Sequence, residues 1–224
     1  MRRDSKVERW RRDLDVVKDD VLGMHHRRDV YRTVARIVDD HGNLPPSLFF
    51  DYVRNTYGVT QAATIRRQAE VDPPRVVSLA SLLSEIRSEP ERLTRQRFVD
   101  LYDPERKDLG QEAFNEKFAG EASDHADPDI VQADIDVLRS TAETVERYVD
   151  RHIAHIDRKR LKTLPATFGD LDRAIDTIGE LFTKYALLLT ASTWWTLVPV
   201  PQHDWLAVFS QAWLCEDDEE GGFG

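Results

Sequence analysis

Apolar residues recur at steps of three and four along most of the chain, which is the signature of amphipathic helices. Val7, Trp10, Leu14, Val17 and Val21 predict a helix from Ser5 to about Leu22, with Ser5 as its N-cap. Val30, Tyr31, Val34, Ile37 and Val38 predict a second over 27–40, which makes His25-His26-Arg27-Arg28 a polar junction between two helices. His41-Gly42-Asn43 reads as a helix stop and Pro45-Pro46-Ser47 as a restart. Phe50, Val53, Tyr57, Ala62, Ile65 and Ala69 then predict one long helix over 47–71, bent near Gly58 and ended by Asp72-Pro73-Pro74. Ser78 caps a helix carrying Leu79, Leu82, Leu83 and Ile86, and Glu89-Pro90-Glu91 opens a short one through Phe98 and Leu101.

The stretch 103–127 is rich in Asp, Glu, Gly and Pro, so it is expected to be a flexible loop with one weak helix around Glu112 to Phe118. Asp127-Pro128-Asp129 opens the clearest helix, with Val131, Ile135, Leu138, Ala142, Val145, Val149 and Ile156 on one stripe. A last strong helix starts near Thr167-Phe168 and runs through Leu171, Ile175, Ile178, Phe182, Ala186 and Leu189. The short connection 157–166 makes these two an antiparallel hairpin. Beyond Ser192, Trp194-Trp195-Thr-Leu-Val-Pro-Val-Pro breaks the helical pattern, and its aromatic residues, with Trp205 and Trp213, are expected to wrap back onto the bundle. The prediction is an all-α helical bundle with a long antiparallel hairpin and an irregular Trp-rich C-terminal segment. It forms one domain over 1–215, followed by a flexible acidic tail at 216–224.

Composition narrows the function classes. The chain has 224 residues, 32% of them charged, a formal net charge of -10 and a single cysteine, Cys215. That cysteine cannot form an intrachain disulfide or a cysteine-built metal site, and beside Glu216-Asp217-Asp218 its thiolate is disfavoured. No window reaches the roughly 18 apolar residues of a membrane span, so a cytoplasmic protein without membrane attachment is expected. The average negative field argues against nonspecific coating of a nucleic-acid duplex. No Gly-rich phosphate loop, no Gly-x-Ser-x-Gly elbow and no recognised metal-ligand spacing occurs, so neither a metal nor a cofactor is expected.

Chemistry concentrates at one helix end, Arg147-Tyr-Val-Asp-Arg-His-Ile-Ala-His155. At the helical rotation per residue, Arg147 and Arg151 project away from the Val145 and Val149 stripe, His152 falls near its edge, and His155 is only about 40° from Arg151. Arg147, Arg151 and His155 thus share one exposed surface at a helix C-terminus. A histidine there titrates near neutral pH, and neighbouring arginines can hold a phosphate. Arg151, Arg158, Lys159, Arg160 and Lys162 against Asp157 leave a local surplus of four positive charges, an anion- or RNA-binding patch. The plainer reading of the same residues is complementation of the helix dipole, with His152 a packed histidine.

The segments Asp150-Arg-His-Ile-Ala-His-Ile-Asp157, Leu164-Pro-Ala-Thr-Phe168, Gly169-Asp-Leu-Asp and Leu181-Phe-Thr-Lys-Tyr185 resemble the abortive-infection branch of the HEPN superfamily (higher eukaryotes and prokaryotes nucleotide-binding domains). So do Arg66-Arg-Gln-Ala-Glu-Val-Asp72, Ser78-Leu-Ala-Ser-Leu-Leu83 and the Trp-rich end. The resemblance implies a commonly dimeric helical bundle whose Arg-to-His motifs, with four to six intervening residues, form a metal-independent ribonuclease cleft in toxin and phage-defence systems. On that basis His155 is the general acid/base, and Arg151, helped by Arg147, binds the scissile phosphate. A homodimer, an RNA or nucleotide ligand and a partner protein of a defence system are the implied partners. The motif departs from the pattern. The Ala-His signature falls on His155, yet Val149 and Tyr148 stand where arginine belongs, and Arg151 is only three intervening residues away. Arg147 and His152 do have four residues between them. The alternative, a catalytically inactive helical module that binds a nucleotide, RNA or an acidic protein, therefore stands beside the nuclease.

Overall fold

The computed structural model describes residues 4–40, 47–72, 75–121, 123–149 and 166–211. Seven α-helices occur in this part of the chain: α1 (Ser5–Asp40), α2 (Leu48–Ala69), α3 (Leu79–Ser88), α4 (Arg95–Val99), α5 (Lys107–Phe114), α6 (Pro128–Tyr148) and α7 (Phe168–Thr190). Among the described residues there is no strand, only an isolated bridge between Thr94 and His125.

Four long helices make the body. Helix α1 runs antiparallel to α7: Arg11 Nε reaches the Leu189 carbonyl at 2.8 Å at one end, and Arg28 reaches Asp176 at 2.6 Å farther along. It is antiparallel to α2 as well, since Arg67 clasps Asp20 while Gln61 donates to the Met24 carbonyl. Near the start of α6, Asp134 meets Lys184 at 2.6 Å and Tyr185 Oη at 2.8 Å near the end of α7, so these two also run opposite ways. The expected hairpin partners are thus packed together. The stripe residues Val131, Ile135, Leu138, Ala142, Val145 and Val149 are buried, and those of α7 join them in one continuous core with Trp10, Val17, Ile65 and Leu83. Burial of that apolar surface drives the assembly.

Caps follow the sequence closely in three places. Ser78 accepts from Ser81 N, Asp127 from Asp129 N, and Thr167 with Asp170 forms a reciprocal capping box. Three other expectations are corrected. First, α1 is a single helix of 36 residues, about 54 Å long. The supposed junction fails to break it because its stripe continues: Met24 and His25 follow Val21 into the core. Its start is stabilised by Asp4, not Ser5, through Lys6 N at 3.0 Å. Second, the helix expected from Glu89 to Leu101 divides into a 3-10 turn at Pro90–Arg92 and the Thr94-capped α4. Leu93 and Arg95 instead turn their backbone to Ala126 and Asp124.

Third, most of the expected loop 103–127 is helical: a 3-10 turn (Pro104–Arg106), α5, and a π-turn (Asn115–Ala119) ending at Gly120 with φ 64°. Phe114 and Phe118 anchor it against Phe98, ring centroids 5.6 Å from each. Arg95 locks the far side, bonding Asn115 and the carbonyls of Gly120 and Ser123 and lying 4.9 Å above the Phe114 ring. The Trp-rich segment returns to the bundle in part. Trp194 packs on Phe182 and Leu197 on the core, whereas Trp195 is fully exposed and the 3-10 turn Trp205–Ser210 has no buried residue. Trp213, Cys215, Ile156 and the acidic tail lie outside the described residues.

Candidate functional site

Helix α6 ends with its apolar stripe pointing inward, so Arg147, two residues from both Val145 and Val149, points out. Its side chain is 59% exposed and turns back along the helix, with Nη2 3.8 Å from Glu143 Oε1 and Nε 3.4 Å from the Glu143 carbonyl. Such an exposed pair is worth well under about 1 kcal/mol, so the guanidinium is easily released to another anion. His155, Arg151, His152, Arg158, Lys159, Arg160 and Lys162 lie outside the described residues, leaving Arg147 as the described member of the predicted cationic site.

An aromatic knot closes the bundle where α7 begins. Tyr31 and Tyr57 stack at 4.2 Å between centroids, and Phe168 leans on both at 5.3 and 5.8 Å. Burial pushes both phenols' pKa up, so they remain neutral. Beside them Arg32 pairs with Asp172 at 2.8 Å and Arg28 with Asp176, which neutralises two carboxylates one turn apart on α7. At the start of α2, Leu48, Phe49 and Tyr52 are exposed apolar side chains.

One turn along α1 from this ladder lies a groove of about 950 Å³, walled by α7 on one side and by residues 193–198 on the other. His25 is part of its wall and is only 8% exposed. Arg28 Nη2 is 3.2 Å from His25 Nδ1. A guanidinium can only donate, so Nδ1 accepts, and the neutral ring carries its proton on Nε2. That Nε2 is buried without a hydrogen-bond partner. It sits where α7 comes closest: a Cβ added at Gly179 would lie 2.6 Å from it and 2.8 Å from Leu197 Cδ1. Burial, reinforced by the Arg28 charge, pushes the His25 pKa down to about 4, against the opposing influence of Asp176 and of the Ile175 carbonyl.

The sequence placed His25 in a polar junction, and the structure places it in the wall of a groove instead. The signal was present, because His25 follows Val21 by four residues on the α1 stripe. Asp176, Gly179 and Leu197 carry no local motif, and only the antiparallel packing of α1 on α7 brings them to His25. Among the described residues no group of His, Cys, Asp and Glu side chains is arranged to hold a metal ion, and no helix is long and apolar enough to cross a membrane.

The helical bundle, with α6 and α7 packed antiparallel, is that of a HEPN-type domain. The model of the AbiU2 family of HEPN domains matches residues 9–208, and the chain belongs to this family, whose function is related to abortive infection. No curated protein and no solved structure matches the chain.

Proposed function

We propose that the protein is a metal-independent endoribonuclease acting in phage defence or a toxin–antitoxin-type stress response, with its active centre at the close of α6. The observation that carries this reading is the family match together with an exposed arginine, Arg147, on the outward face of the helix that leads into Asp150-Arg-His-Ile-Ala-His155. In this reading His155 takes the proton from a ribose 2′-hydroxyl. The resulting alkoxide attacks the adjacent phosphorus, and the leaving 5′-oxygen is protonated by a second imidazole or by water. The products are a 2′,3′-cyclic phosphate and a 5′-hydroxyl end. Arg151 and Arg147 neutralise the charge that accumulates on the phosphoryl oxygens, and His152 lies beside them as the second candidate imidazole. Arg158, Lys159, Arg160 and Lys162 extend the cationic surface along the RNA backbone. A homodimer pairing two such helix ends, working in the cytoplasm with a partner protein of the defence system, completes the proposal.

The test is cleavage of a mixed RNA pool in the presence of a metal chelator. His155→Ala should lower the cleavage rate by about a hundredfold or more, the size of a general acid–base contribution. Undiminished cleavage would remove His155 from its role. A second reading, an inactive module that binds RNA or an acidic partner, is favoured by the spacing of Arg151 and His155, which have only three residues between them. It predicts salt-dependent RNA retention without products, weakened in Arg158→Ala/Arg160→Ala.

A further inference from the structure

The groove beside His25 has the features of a ligand site separate from the α6 end. A buried donor left unpaired costs a fold about 1–3 kcal/mol, and natural structures rarely retain one without reason. Here the unpaired donor is His25 Nε2–H, and the residue covering it is Leu197. Gly179 leaves the space in which the imidazole edge stands, since even a methyl group there would collide with it.

The segment that covers it is lightly held. Helix α7 ends at Ala191 with a left-handed backbone, φ 53°, and the chain turns away from the helix axis. From Ser192 to His203 the hydrogen bonds are local: Val198 N to Thr196 Oγ1 and Gln202 Nε2 to the Val200 carbonyl. Among the described residues no backbone hydrogen bond ties this stretch to the helices, so it rests on Trp194 against Phe182 and on Leu197 beside His25 at Gly179.

The lining also indicates what would bind. Lys184 is held by Asp134 and Asp176 by Arg28, whereas Lys117, among the described residues, meets only the exposed Glu116 at 3.7 Å. Glu116, Asp176 and Glu180 against Lys117 and Lys184 leave the wall with more negative than positive charge, which disfavours an anionic ligand. What the groove offers is a neutral imidazole N–H, the hydroxyls of Thr183, Thr193 and Thr196, and an apolar surface from Ile130, Leu187, Trp194 and Val198.

We infer that this groove binds a small, uncharged molecule with an aromatic or branched apolar body and a carbonyl oxygen, which accepts from His25 Nε2–H in the place Leu197 now covers. Entry requires Leu197 to swing off the imidazole, while the aromatic body takes its place against Trp194. A pocket of this size with a few converging polar groups on an apolar wall is typical of small-molecule sites.

Benzamide is a suitable probe, titrated into the full-length chain and followed by saturation transfer to the ligand and by the long-range nitrogen resonances of the histidines. The expected result is saturable binding that shifts the His25 Nε2 resonance. Toluene, which lacks the acceptor, and His25→Phe, which lacks the donor, should each weaken binding about tenfold. Leu197→Ala, which removes the cover without touching the helices, should tighten it. His155→Ala should leave it unchanged, so failure here and failure of the ribonuclease proposal are separable. The inference is overturned if benzamide does not saturate either the natural chain or Leu197→Ala, if toluene binds equally well, if folded His25→Phe binds with undiminished affinity, or if adenosine monophosphate displaces benzamide.

Discussion

Two stretches of this protein look irregular in sequence and turn out differently. Residues 104–119 are acidic and poor in apolar side chains, yet they fold into a packed run of helix. Residues 191–211 contain Trp194, Trp195, Leu197, Val198, Val200, Trp205 and Phe209, yet most of them stay at the surface. Apolar content does not separate the two; periodicity and backbone partners do. Phe114 and Phe118 are four residues apart, so both meet Phe98 on one helical face, and Arg95 satisfies the carbonyls where the run ends. Pro199 and Pro201 deny the second stretch amide donors, and its apolar residues fall on no single face. An apolar side chain without a regular backbone to aim it remains half in water.

The comparison can be broken most forcefully at Phe114. It is fully buried among Phe98, Phe118 and the Arg95 guanidinium. Phe114→Ala should cost about 3–5 kcal/mol in urea-induced unfolding, the range for truncating a buried aromatic residue. A loss below about 1 kcal/mol would mean that the stretch opens at little expense and that its packing contributes less than the geometry implies.

The next effect is on the other side of the comparison, at His25 under Leu197. The folded pKa of about 4 lies below the ordinary value near 6.5, so the unfolded chain binds the proton more readily than the folded one. Stability from this group is complete above the unfolded pKa and is lost as pH falls towards the folded value. Between pH 8 and pH 5 the loss should be about 2 kcal/mol by linkage, most of it below pH 6.5. Denaturation of the natural chain and of His25→Phe across that window should show this slope in the first and not in the second. Equal slopes would mean that His25 is better solvated in the fold than its burial and Arg28 contact imply.

Much of the bundle was readable from the residues. The stripe on α6, the α7 stripe, the Ser78 cap and the helix starts near Ser47, Asp127 and Thr167 stand where spacing placed them, because each is set by neighbours within a turn or two. The misreadings share a cause. Gly23 and His25-His26 look like a boundary only if His25 is assumed to need water; with Nδ1 accepting from Arg28 the imidazole enters the core and the helix continues. Helix α5 was foreseen only in part, as a weak helix around Glu112 to Phe118, because much of what fixes it is distant: Gly110 lies against the Tyr102 ring, and Arg95 reaches Asn115 from another helix. Of the predicted site, the structure describes Arg147, and its outward direction agrees with the helical projection. The groove was invisible because His25, Gly179 and Leu197 belong to three distant stretches.

A smaller effect sharpens the contrast by rate of exchange. Amides of 111–119 sit in helical hydrogen bonds against buried phenylalanines, whereas those of 192–198 and 200 have no bond into the bundle among the described residues. Hydrogen exchange should therefore be slowed through the first set by several orders of magnitude relative to the second, which should exchange near the rate of an open chain. Strong protection at 193–198 would show that the segment is held by more than Trp194 and Leu197, and would count against its displacement by a ligand.

The smallest expected effect is the most discriminating for the Trp-rich segment. Trp195 is fully exposed and stacks on no ring among the described residues, while its neighbour Trp194 is 36% exposed and lies 5.9 Å from Phe182. Trp195→Ala should change unfolding free energy by less than about 0.5 kcal/mol, as for surface substitutions that touch nothing, whereas Trp194→Ala should cost about 1–2 kcal/mol for the apolar area it uncovers. Paired denaturation curves of the two variants decide the matter. If Trp195→Ala proves as costly as Trp194→Ala, Trp195 is covered in solution, and light scattering at several protein concentrations would then show whether a second copy of the chain covers it. A concentration-dependent cost would assign the exposed tryptophan to a subunit interface; a concentration-independent one would assign it to the chain's own fold.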